Sequence, residues 1–237
     1  MKIVLIGYGA MGRLVERLAL EAGHEVTVAP STDSAGRTFD TFVNALRGHD
    51  VAIDFSVADA VPLNVRACMD AGVALVEGTT GWKDQESEVR RIVEDAGGAM
   101  VHGANFSIGV NLFYRIAQYA AGLFVPIREY DAFITEAHHK RKRDAPSGTA
   151  LVIKKLVEAE LGTEVEVSST RGGYIPGTHT VGFDSNADQI TLSHVARSRE
   201  GFAHGAVFAA EWIAGRKGYF EFAAAIEDLV QRKVRKL

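Results

Sequence analysis

Hydrophobic and polar positions divide the chain into two differently patterned parts. Up to His102, short continuous apolar runs recur: Lys2–Ile6 (KIVLI), Glu25–Ala29 (EVTVA), Val51–Phe55 (VAIDF), Ala74–Glu77 and Met100–His102. Such runs are the mark of strands buried on both faces of a parallel sheet. Between them the spacing turns helical, with Leu14, Val15, Leu18 and Ala19 on one face and a further helix over 58–71. Strands that alternate with helices and end in small or polar loops predict a doubly wound α/β sheet, whose ligands bind off the strands' carboxyl ends. After Phe106 the pattern changes. Ile108–Phe124 is a long apolar helix, Tyr130–Thr135 alternates as a strand, and 147–161 is helical with Ala150, Leu151, Ile153 and Leu156 spaced for an apolar face. Glu164–Thr170, Thr180–Phe183 and Gln189–Ala196 are strand-like, with Asp184–Asp188 as a turn, and the helix Phe202–Ala214 precedes the tail 218–237. This second part reads as an α+β segment with exposed sheet edges.

The first turn carries chemistry. Gly7-Tyr8-Gly9-Ala10-Met11-Gly12 stands between a strand and a helix, the setting in which G-x-G-x-x-G binds a dinucleotide. Gly7 permits the tight turn, Gly9 lets backbone approach a pyrophosphate, and Gly12 allows close helix–strand packing. The same glycines would also serve a plain chain reversal, so the motif gains weight only from its context. The second strand ends in Ala29-Pro30-Ser31-Thr32, where a fold selective for NAD places a carboxylate; Asp33 comes late, and Arg37 is a candidate for a 2′-phosphate.

A second cluster lies at Glu136–Ala150 (EAHHKRKRDAPSGTA), where His138 and His139 lead into Lys140, Arg141, Lys142 and Arg143. We place it on a strand-to-helix loop. It offers titratable donors beside a helix N-terminus, whose free N–H groups favour an anion. A basic run also reads as a solvated face or a nucleic-acid patch, and Ser147 as a plain helix cap. The net charge of −4 argues against a nucleic-acid surface and for a small anionic ligand. No apolar run approaches membrane-spanning length. The single cysteine, Cys68, excludes an intramolecular disulfide and points to a reducing cytoplasm, with buried filler as its expected role.

The string E-A-H-H-x-x-K-x-D-A-P-S-G-T resembles the signature of the 4-hydroxy-tetrahydrodipicolinate reductase (dihydrodipicolinate reductase) family of lysine and diaminopimelate biosynthesis. Gly78-Thr79-Thr80-Gly81 and Ala104-Asn105-Phe106-Ser107 resemble the family's loops on the nicotinamide side, and Arg171-Gly172-Gly173, Ser198-Arg199 and Phe202–Ala206 match further segments. His204 departs from the usual asparagine, and Ala10 from the usual Arg or Lys. The resemblance implies a Rossmann-like dinucleotide domain over 1–107 and 217–237, with a substrate and oligomerisation domain over 108–216. It implies NADPH- or NADH-dependent reduction of 4-hydroxy-tetrahydrodipicolinate by a cytoplasmic homotetramer, with no metal. It makes His138 and Lys142 the proton donors. His139, Ser147, Gly148, Thr149 and Thr80 become contacts to a small dicarboxylate, with Arg199 weaker. Gly7, Tyr8, Gly9, Ala10, Met11, Gly12, Gly78, Thr79, Thr80, Gly103, Ala104, Asn105 and Phe106 become the cofactor contacts. The alternative is another nicotinamide-dependent amino-acid dehydrogenase on this scaffold, which would keep the glycines and lack the string His138–Thr149.

Overall fold

The computed structural model describes residues 1–30 and 38–234. Its chain divides into two compact units, Met1–Ser107 with Phe202–Leu237, and Ile108–Gly201.

The first unit holds a six-stranded sheet. The strands are β1 (Lys2–Ile6), β2 (Glu25–Val28), β3 (Val51–Asp54), β4 (Ala74–Glu77), β5 (Ala99–His102) and β10 (Gly218–Glu221), in the order β10-β5-β4-β3-β1-β2 and all parallel. The expected doubly wound sheet is therefore present, with β10 as an edge strand that the pattern did not announce. Its helices are α1 (Ala10–Glu21), α2 (Phe39–Leu46), α3 (Val61–Ala71), α4 (Glu86–Asp95), α7 (Glu200–Ile213) and α8 (Phe222–Val234). The span 58–71 opens as a 3-10 turn and becomes α3 at Val61, with Pro62 in the first turn, where a missing N–H costs nothing. Ile3, Val51, Ala52 and Leu75 are fully buried, as their unbroken apolar runs required.

The sequence reading joined residues up to 216 to the second domain. In the structure α7 and everything after it group with the first unit. Two packing features account for this: Gly205 lies against the Phe106 backbone, and Trp212 and Arg216 both bond Asp228 at 2.9 Å.

The second unit is a four-stranded sheet covered by α5 (Ile108–Phe124) and α6 (Gly148–Leu161). Its strands β6 (Asp131–His138), β7 (Glu166–Arg171), β8 (Thr178–Asp184) and β9 (Gln189–Val195) lie in the order β7-β6-β8-β9. Phe113, Ile134, Ile153, Val181 and Phe183 form its core. One expectation needs correction: the strand does not end at Thr135 but runs on to His138. Glu136 and His138, polar residues that read as loop, are held between β7 and β8 because each satisfies the other inside the sheet.

Candidate functional site

In the first unit, three loops leave the carboxyl ends of β1, β4 and β5. Gly7 sits at φ +81°, and a Cβ there would lie 2.6 Å from the Phe55 carbonyl oxygen. A Cβ on Gly12 would lie 2.3 Å from the Gly7 carbonyl oxygen, so both positions require glycine. Gly9 differs: it is the N-cap of α1, has no side-chain cap, and a Cβ there would meet nothing within 4 Å. No acidic residue lies in the first turn of α1. The helix thus presents free N–H groups to open space, which fits a pyrophosphate. Tyr8 is exposed and donates its hydroxyl to Glu16, while Ala10 and Met11 begin α1. In the Gly78–Gly81 loop Thr79 is buried, its amide donating to Glu77 (2.7 Å) and its carbonyl accepting from the Trp82 indole (2.8 Å); Thr80 is exposed. After β5, Gly103 and Ala104 lead to Asn105, whose side chain accepts the Ser107 N–H at 2.9 Å, and Phe106 packs on Phe222 with ring centroids 4.7 Å apart. Ser31, Thr32, Asp33 and Arg37 lie outside the described residues.

In the second unit, β6 delivers His138 at its last position. The buried Glu136 carboxylate accepts from His138 Nδ1 through one oxygen and from Arg171 Nη2 through the other, at 2.6 Å. The same guanidinium nitrogen reaches the Asp144 carbonyl (2.6 Å), tying the loop to β7. Burial works to raise the Glu136 carboxyl, but the hydrogen bonds from Arg171, Ser169 and His138 outweigh it and hold the group at about 2. His138 itself is lowered, first by burial and then by Lys142 and Arg171, with Glu136 opposing. Its Nε2 faces Gly177, where a Cβ would stand 3.0 Å away. With Nδ1 committed to a carboxylate, Nε2 is the nitrogen left to exchange a proton.

Lys142 Nζ pairs with Asp144 at 2.8 Å, which, together with the Gly148 N–H, holds the Asp144 carboxyl below its ordinary value. Ser147 is the N-cap of α6: its Oγ accepts the Ala150 N–H at 3.2 Å and lies 3.0 Å from His179 Nε2. Gly148 opens α6 beside empty space, with nothing within 4 Å of a Cβ. The Thr149 hydroxyl bonds Tyr114, and His139 Nδ1 is buried without a partner among the described residues. His138, His139, Lys142, Ser147, Gly148 and Thr149 thus belong to the second unit, whereas Thr80 belongs to the first.

Three residues escaped the sequence reading as participants. Glu136 was legible, since it stands two residues before His138 and period-2 places both on one face. Arg171 and His179 were not, because only register brings them in: His138 pairs with Arg171 across β6 and β7, and Glu136 with His179 across β6 and β8. Glu136, His138 and His179 offer ligand atoms within 4.8 Å of one another. Because Arg171 already compensates the carboxylate, this donor set suits proton handling better than a resident cation.

Comparison with known proteins agrees with this geometry in both halves. Residues 1–106 match the family model described as dihydrodipicolinate reductase, N-terminus, and residues 109–226 the model for its C-terminus. A 4-hydroxy-tetrahydrodipicolinate reductase of Christiangramia forsetii is 35% identical, covering 97% of this chain and 99% of that one. Another from Archaeoglobus fulgidus is 38% identical, over 87% of this chain and 91% of its own. The solved structure of a dipicolinate-bound dihydrodipicolinate reductase from Paenisporosarcina sp. TG-14 shares the fold, with a TM-score of 0.80 at 20% identity and coverage of 94% of this chain and 98% of that one. With both family models matched in order, and relatives this similar over nearly their whole length, the chain belongs to the dihydrodipicolinate reductase family.

Proposed function

We infer that this chain reduces 4-hydroxy-tetrahydrodipicolinate to tetrahydrodipicolinate, with loss of water, in lysine and diaminopimelate biosynthesis. The observation that carries the reading is His138, oriented by a carboxylate at the end of β6 and leading into the loop that holds Lys142 and opens α6. A bound nicotinamide dinucleotide supplies hydride. Gly7–Gly12 would hold its pyrophosphate at the start of α1, and the Gly78–Gly81 and Gly103–Phe106 loops would line its nicotinamide side. His138 delivers a proton from Nε2, and Lys142 offsets negative charge and serves as the second donor. The Gly148 and Thr149 N–H groups receive one substrate carboxylate at the helix start, and His139 the other. Asp144 pairs with Lys142 and accepts the Gly148 N–H, partners that such a carboxylate would claim. The test is consumption of NADPH or NADH with substrate freshly made from aspartate semialdehyde and pyruvate. An amino-acid dehydrogenase would be inert in that assay; the intact string His138–Thr149 and the family match disfavour it.

Both cofactors are proposed to work, NADPH modestly ahead. No carboxylate ends the second strand to repel a 2′-phosphate, while Ala10 withholds a cation that would attract one. Ser31→Asp is expected to raise the NADH to NADPH ratio of kcat/KM, and a wild type preferring NADH a hundredfold would refute this. A cytoplasmic homotetramer joined through the second sheet is proposed from the exposed Ile190 and Val195 on edge strand β9; sedimentation as a monomer would refute it.

A further inference from the structure

The carboxyl edge of the first sheet ends in a row of titratable side chains. Asp54, Glu77, His102 and Glu221 are the last residues of β3, β4, β5 and β10, and each pairs in register with the next. The first two are fully buried, each 0% exposed, and among the described residues neither forms an ion pair. Their oxygens can be accounted for one by one. Asp54 Oδ1 accepts the Ser56 N–H and Oδ2 accepts from Asn64 Nδ2, both at 2.7 Å. Glu77 Oε1 accepts the Thr79 N–H at 2.7 Å. Among the described residues Glu77 Oε2 has no donor, and the strand register sets the two buried carboxyls side by side. Two ionised carboxylates are acceptors only, so a hydrogen bond between the pair requires a proton on one of them. A proton on the oxygen without a donor would supply that bond.

We propose that Asp54 and Glu77 share a single proton, donated from Glu77 Oε2, and that this bridged pair is the positioning element for the Gly78–Gly81 loop and so for cofactor binding. The pair reaches both loops at this edge: Asp54 fixes the Ser56 amide, Glu77 fixes the Thr79 amide, and Ser56 N–H also donates to Thr79 Oγ1 at 3.1 Å. The role rests on the dinucleotide reading of these loops. Loss of the proton would place two like charges side by side without water, and Thr79 would lose its fixed anchor.

The direction with pH follows. Burial raises both carboxyls, and the Asp54 charge pushes Glu77 further up. A group whose pKa is raised in the folded state keeps its contribution below the ordinary carboxylate range and loses it as pH rises through the raised value. Of the other groups facing the pair, two titrate in the same direction but from ordinary values far above a carboxylate's, and the Glu77→Gln comparison separates them from Glu77. Cys68 on α3 is pushed up by burial and by both carboxyls, and Tyr219 on β10 is pushed up by burial. His102 is pushed down by burial and titrates on the acid side.

Three variants and two readouts test the pair. In Glu77→Gln the amide donates to Asp54 and its oxygen still accepts from Thr79, without a titrating proton. Glu77→Val removes the anchor, and Asp54→Asn removes the charge that Glu77 faces. The dissociation constant of NADPH, read by its fluorescence, is expected to rise about tenfold in Glu77→Val, the weight of one lost anchor, and to be rescued in Glu77→Gln. Thermal melts identify variants that remain folded. Wild type should lose affinity on the alkaline side, whereas Glu77→Gln should not, and Asp54→Asn should shift the loss to lower pH, because the charge that raises Glu77 is gone. Independently of any cofactor, the infrared spectrum of wild type at neutral pH should contain the carbonyl band of a protonated carboxylic acid, absent from Glu77→Gln. Absence of that band from wild type overturns the shared proton. An alkaline loss in Glu77→Gln equal to that of wild type, or unchanged affinity in folded Glu77→Val, overturns the positioning role. Failure of wild type to bind NADPH or NADH overturns the dinucleotide reading and the positioning role with it, while the infrared band still decides on the shared proton.

Discussion

His138 is useful because of what stands behind it. An imidazole in a buried strand end would by itself be an inert neutral ring, since burial disfavours its charged form. Glu136, held ionised by Arg171, returns part of that cost and fixes which nitrogen carries hydrogen. His138→Ala and Lys142→Ala are expected to depress kcat by roughly 10²–10⁴-fold, as for a lost general acid, with the NADPH dissociation constant unchanged. Glu136→Gln should lower kcat less. It should also move the alkaline limb of the kcat profile to lower pH, because the carboxylate that raised the imidazole is gone. A profile in Glu136→Gln superimposable on wild type would exclude the orienting role. At this scale the sequence spoke through residue types: the paired histidines and Lys142 stood out. Arg171 did not, because an arginine ahead of two glycines announces no partner thirty-odd positions upstream.

Among the elements, α6 joins fold and chemistry most directly. Ser147 caps it, Ile153 and Val157 bury its inner face, and Gly148 leaves open space where a side chain would stand. A side chain at position 148 would fill that space without touching the fold. Gly148→Val should therefore raise the inhibition constant of pyridine-2,6-dicarboxylate, expected to be competitive with substrate, while leaving the melting temperature nearly unchanged. Equal inhibition of both proteins would count against a carboxylate at the helix start. Element boundaries were legible where patterns were long or unbroken: β1, β4 and α5 fall on the residues expected. The strand β10 was not, because Gly218–Glu221 is four residues without alternation, and its place beside β5 is decided by tertiary pairing. The extension of β6 through Glu136 and His138 was hidden for the opposite reason, since polar residues become strand-compatible only once their partners are in place.

Across the whole molecule, two groups of the second unit respond to acid in the same sense. Glu136, held at about 2 against an ordinary 4.5, stabilises the fold above that ordinary value, and the contribution is lost as pH falls towards 2. His179 is lowered to about 4, first by burial and then by His138, so the neutral ring belongs to the fold and its share is lost as pH falls from 6.5 to about 4. Melting temperature should therefore decline from near neutrality downward. His179→Gln should flatten the decline between pH 6.5 and 4, and an unaltered slope there would exclude His179 as its source.

The return of α7 to the first unit has a consequence for the chain's modularity. The first unit is interrupted by residues 108–201 rather than completed before them, and the two broken ends meet: a Cβ on Gly205 would stand 1.6 Å from the Phe106 carbonyl oxygen. A guest segment whose host ends already touch can be cut out. Deleting residues 108–201 and bridging the gap with a short glycine–serine joint should yield a miniature that melts cooperatively and still quenches NADPH fluorescence. It would turn over no substrate, for it would have the cradle of the coenzyme and none of the acid.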